Sequence, residues 1–116
     1  MLGWHILIYR QSATGRERVA EWETSLGGTD WLDALVEQGK AVYREGNGGY
    51  PMVYTASAGV LTSALAAGPP SYSGPTVAGD GYLKPSGWIG GAVIDAPRLA
   101  ACEADEELTI HAWDLS

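Results

Sequence analysis

Both ends of the chain alternate with a period of two, and this constrains its fold more than any other feature. In Trp4-His5-Ile6-Leu7-Ile8-Tyr9, one side carries Trp4, Ile6 and Ile8 and the other His5, Leu7 and Tyr9. From Leu108 to Asp114 the same phasing sets Leu108, Ile110 and Ala112 against Thr109, His111 and Trp113. Successive side chains of an extended chain point to opposite faces, so each pattern describes a half-buried strand with its aliphatic side on a core. The chain is therefore expected to begin and end in strands.

Helical spacing dominates between them. Thr14 and Glu17 match a capping box, in which each side chain satisfies a backbone N–H at a helix start. Val19, Trp22 and Leu26 would share one face of the helix that follows, and Gly27-Gly28 would stop it. Thr29-Asp30 offers an N-cap for a second helix over 31–38, closed by Gly39 in the left-handed conformation. Lys40 to Glu45 and Tyr50 to Thr55 flank Gly46-Asn47-Gly48-Gly49 and predict a hairpin. Val60, Leu61, Ala64 and Leu65 predict a helix over 58–67, ended by Gly68-Pro69-Pro70 because proline cannot continue it.

The stretch from Gly68 to Gly91 contains seven Gly and four Pro. Short strands at Thr76–Ala78 and Trp88–Ile94 fit inside it, and Asp95-Ala96-Pro97 opens a helical turn running to Cys102. The resulting order is β, α in one or two pieces, β, β, α, a Gly/Pro-rich insertion, and β. That is the split βαβ plan of ferredoxin-like α+β domains, with an antiparallel sheet and helices on one face. A length of 116 residues suits one such core, so residues 1–116 are expected to form a single domain.

Charge narrows the partners. Fourteen Asp and Glu against seven Lys and Arg leave a net charge of −7, the wrong sign for gripping phosphates, so nucleic acid is not expected. The acidic run Glu103, Asp105, Glu106, Glu107 reads as a solvated turn or a docking patch for a basic protein. Cys102 is the only cysteine, which rules out an internal disulfide and suits a reducing compartment. The apolar run at the start is too short for a signal sequence or a membrane span, so a cytoplasmic protein without membrane contact is expected.

Five Trp, six Tyr and no Phe mean that every aromatic ring carries a polar tip. If the terminal strands are antiparallel neighbours, both histidines of the protein, His5 and His111, fall on the sheet face that helices leave open. A face bearing His5, Tyr9, His111 and Trp113 is too apolar to be merely solvated. Three occupants fit it: a second copy forming a homodimer, the insertion folding back with Tyr72, Tyr82 and Trp88, or a small molecule in the pocket so formed, which Asp80 is placed to enter.

Catalytic signatures are weak by comparison. Ser57 and Ser86 lack the G-x-S-x-G elbow, and Gly46–Gly49 lacks the lysine and following helix of a P-loop. Cys102 has no local nucleophile signature, and no metal-ligand spacing occurs, so neither metal nor cofactor is expected. The reading that follows is a non-catalytic binding protein for a small, partly apolar ligand or a protein partner. Two alternatives stand beside it: a small dimeric α+β enzyme with His5 or His111 as general base, assisted by Asp80 or Asp95, and an acidic inhibitor or immunity-type protein.

Overall fold

Six strands form one antiparallel sheet, with three helices packed against it, in a computed structural model that describes residues 3–12, 15–24, 27–45, 51–66, 68–70 and 89–114. In chain order these are β1 (Trp4–Ser12), β2 (Gly15–Thr24), α1 (Asp30–Glu37), β3 (Ala41–Glu45), β4 (Met52–Ser57), α2 (Ala58–Ala64), β5 (Ile89–Ile94), α3 (Ala96–Ala100) and β6 (Glu107–Asp114). Across the sheet the order is β3-β4-β6-β1-β2-β5.

The terminal strands pair as their alternation requires. β1 and β6 are antiparallel, with Ile6 opposite Ala112 and Ile8 opposite Ile110. All four side chains are fully buried, and Leu108 joins them. From the helices, Leu32, Leu61 and Leu99 enter the same apolar cluster, so one face of the sheet carries the core. α1 lies against β3, α2 against β4 and α3 against β2.

The helix expected from Thr14 to Leu26 is instead strand β2. Its inward residues Ala20, Trp22 and Thr24 alternate with Glu21 and Glu23, as a strand requires. A bulge explains why the alternation is hard to see. Ile8 faces Ala20 while Tyr9 faces Arg18, leaving Val19 as an extra residue that is buried beside Ala20. The inward positions 19, 20 and 22 then imitate helical spacing.

The ferredoxin-like plan is corrected with it. That plan runs β-α-β-β-α-β with four strands and two helices, whereas here β2 follows β1 directly and β2 and β5 extend the sheet beyond β1. The sheet has six strands, and β6 is inserted between β1 and β4. The fold is thus a mixed α+β arrangement on an antiparallel sheet.

The remaining elements follow their local signals. Gly39 closes the first helical segment at φ 73°, a conformation that costs a side-chain-bearing residue dearly. Ser57 ends β4 and caps α2 directly, its hydroxyl accepting from the Val60 N–H at 3.3 Å. Asp95 caps α3 in the same manner, accepting from the Arg98 N–H at 2.9 Å, with Pro97 in the first turn. The backbone N–H groups of Ala58 and Gly59 also donate to the Glu106 and Ala104 carbonyls, tying α2 to the acidic turn. The strand expected at Thr76–Ala78 lies outside the described residues.

Candidate functional site

The side of the sheet opposite the core is built by the outward phase of each strand. Register places His5 opposite Trp113 and Leu7 opposite His111, so both imidazoles project from the same face. Val53 of β4 stands beside His111 on its other side, and Thr55 beside Thr109. β3 adds Val42 opposite Thr55, and β5 adds Val93 opposite Glu21. Among the described residues, no helix packs over this face.

Among the described residues, four large apolar or aromatic side chains stand out as exposed: Val42 (47%), Tyr43 (47%), Val93 (44%) and Trp113 (39%). Val42, Val93 and Trp113 belong to the helix-free face, spread over an edge strand, the opposite edge strand and a central one. Tyr43 differs, because it packs edge-on against Tyr54 of the core phase, ring centroids 5.2 Å apart.

At the centre of the face the rings are ordered by one another. Tyr9 and His111 meet edge-to-face with centroids 5.2 Å apart, and the Arg16 guanidinium lies 5.6 Å from the Tyr9 ring centre. Desolvation, helped by the positive charge of Arg16, holds the His111 imidazole below its ordinary value. His111 therefore favours the neutral ring near pH 7, able to accept a proton or a hydrogen bond.

The second imidazole is anchored ionically. His5 Nε2 and Glu21 Oε2 are 2.7 Å apart, and Arg18 donates to the other Glu21 oxygen, also at 2.7 Å. The Arg18 hydrogen bond is the largest influence holding the Glu21 carboxyl below the usual carboxylate range, with His5 adding to it against a desolvation cost. Arg44 completes the polar rim, its guanidinium donating to the Thr55 hydroxyl at 2.9 Å and lying 3.5 Å from Glu107.

His5, Tyr9, His111 and Trp113 are thus brought together on one face, while Asp80, Tyr82 and Trp88 lie outside the described residues. Val42, Val53, Val93, Arg16 and Glu21 were missing from the residues picked out by sequence. The first two were readable by carrying the alternation of the hairpin into the same sheet. Glu21 was hidden because its strand had been read as a helix.

The other candidates take structural roles. Asp95 is a cap, and Cys102 sits after α3 with its thiol donating to the Arg98 carbonyl at 3.4 Å. Burial and then the nearby Glu106 push that thiol up, which keeps it protonated and weakly nucleophilic. Glu106 of the acidic run pairs with Arg10 at 3.0 Å. Among the described residues no group of three or more His, Cys, Asp or Glu side chains can hold a metal ion, and no helix is long and apolar enough to cross a membrane.

Of the clefts bounded by described residues, one of about 180 Å³ opens at the β3 edge of this face, lined by Val42, Thr55 and Glu107 with Lys40 and Asp105. Two others lie among the helices, one of about 260 Å³ lined by Thr62, Leu99 and Cys102 and one of about 370 Å³ by Leu35, Val60 and Ser63. None includes His5 or His111. The chain matches no family model, and no curated protein and no solved structure is similar enough to it to suggest a family.

Proposed function

We propose that this protein is a non-catalytic binding module whose helix-free sheet face receives a partly apolar partner. The observation that carries this reading is that Val42, Val93 and Trp113, three of the four exposed large hydrophobic side chains among the described residues, all stand on that face. An antiparallel sheet with one solvated side ordinarily presents polar residues there. Apolar and aromatic side chains set among polar ones over a wide face suit a broad, mixed contact with a partner surface. In this reading Trp113 and Tyr9 supply contact area, His111 accepts a hydrogen bond through its neutral ring, and the His5–Glu21–Arg18 chain fixes the rim.

An apolar fluorescent dye tests it on the full chain. The expected result is saturable binding that Trp113→Ser reduces at least about tenfold, as removal of a central aromatic anchor does. Dye binding indifferent to that substitution, or no binding, contradicts the reading.

The 2.7 Å contact between His5 and Glu21 favours one second reading, a small enzyme with an imidazole general base oriented by a carboxylate. It requires turnover of some hydrolysable or enolisable substrate that is lost in both His5→Gln and Glu21→Gln. Turnover unaffected by either substitution contradicts it.

A further inference from the structure

We propose that the occupant of the helix-free face is a second copy of this chain, packed face to face about a two-fold axis. The inference rests on the binding reading above and specifies the partner. Three observations separate this occupant from a small ligand and from a basic protein.

The first is breadth. Val42 stands on edge strand β3, Val93 on the opposite edge strand β5, and Trp113 on β6 between them. A small molecule seated at any one of these leaves the others in water, whereas a flat partner covers all three. The cleft that reaches this face, about 180 Å³ at the β3 edge beside Val42, takes in neither Trp113 nor Val93.

The second is charge. The chain as a whole carries −7, yet the described side chains of this face balance, with Glu21, Glu23 and Glu107 against Arg16, Arg18 and Arg44. Glu21 is engaged by Arg18 and His5, and Glu107 lies near Arg44. Two like-charged surfaces brought together by a two-fold axis repel, and the balance of charge on this face spares it that penalty. A basic partner would require uncompensated carboxylates, and among the described residues only Glu23 supplies one on this face.

The third is area. Six strands about 4.8 Å apart and about six residues long, at about 3.3 Å per residue, give a footprint of about 500 Å². Two such faces remove about 1,000 Å² from water, which reaches the threshold for a specific interface. Two sheets stacked in this way adopt the spacing of a β-sandwich, about 10 Å, with Tyr and Trp at the centre of the contact.

Sedimentation equilibrium on the full chain tests the proposal. The expected mass approaches twice 12.2 kDa as concentration rises through the micromolar range. Trp113→Ser and Val42→Lys are each expected to weaken the association about tenfold or more. High salt should leave it intact, because no net charge is being neutralised. Both positions are exposed, so unchanged thermal melting of the isolated variants confirms that they fold.

A mass of one chain at every concentration, or a dimer that neither substitution weakens, overturns the proposal. The dye experiment then tells the two failures apart. A monomer that still binds dye through Trp113 loses the second copy but keeps the binding face, whereas a monomer without such binding loses both. Salt-sensitive capture of a basic protein on this face by a monomer would also overturn the second copy while leaving the binding reading in place.

Discussion

His111 shows how neighbours set the chemistry of a single residue. Its ring is partly withdrawn from water between Val53 and Leu7, meets Tyr9 edge-on and feels Arg16 beyond it. Desolvation first, and then the Arg16 charge, disfavour the imidazolium. Because the folded value is depressed below about 6.5, the unfolded chain binds the proton first as pH falls. The contribution of His111 is thus fully present above about pH 6.5, is lost as pH falls through the folded value, and does not change further below it. In an NMR titration of the ring protons, the His111 midpoint is expected below 6.5, and Arg16→Gln should move it upward. A midpoint at or above 6.5 would contradict this placement of the ring. The sequence revealed the side to which His111 points, because the alternation from Leu108 to Trp113 is unbroken. It could not reveal Arg16 or Val53 as neighbours, since those contacts depend on which strands pair.

At the scale of elements, β2 and the entry to α1 are the places where local signals mislead. Thr14 and Glu17 resemble a helix start, and a bulged Val19 disturbs the period of two, so sequence spacing alone favours the wrong element. What decides the matter is long-range: Trp22 is fully buried and stacks at 5.9 Å on Trp31 of α1, and β2 is held by ladders to both β1 and β5. The indole N–H groups of both tryptophans and the Thr24 hydroxyl are buried without a hydrogen-bond partner among the described residues. Gly28 is closely fitted there too. A Cβ at that position would run into the Thr24 side chain, well inside any permitted contact. Gly28→Ala is accordingly expected to destabilise the fold by about 1–3 kcal/mol in urea denaturation, as overpacking does, and Thr24→Ala should recover part of the loss. A neutral Gly28→Ala would mean that the turn does not approach β2 as described. By contrast, Gly39 and Asp95 were readable from sequence, because each cap depends only on its immediate neighbours, whereas the Ser57 cap went unread.

For the whole molecule, the informative feature is that β6 closes the sheet between β1 and β4. The last strand thereby brings its outward phase, Thr109, His111 and Trp113, into the middle of the face rather than to an edge. Neither element order nor spacing carries this information, because strand order is set by pairings between distant segments. The legible parts were the phasing of the terminal strands, the β3–β4 hairpin and the two strand-linked helices. The parts that were not legible were the two added strand pairings and the sheet order.

The account turns on one geometric claim, that His5 and His111 project together from the side of the sheet without helices. Nuclear Overhauser contacts in the labelled full chain test it directly. Ring protons of His111 should connect to the Tyr9 ring and the Val53 methyls, and those of His5 to the Trp113 indole, with neither imidazole reaching the methyls of Ile6, Leu61 or Leu108. An imidazole in contact with those core methyls, or a His111 ring without Tyr9 beside it, would contradict the account.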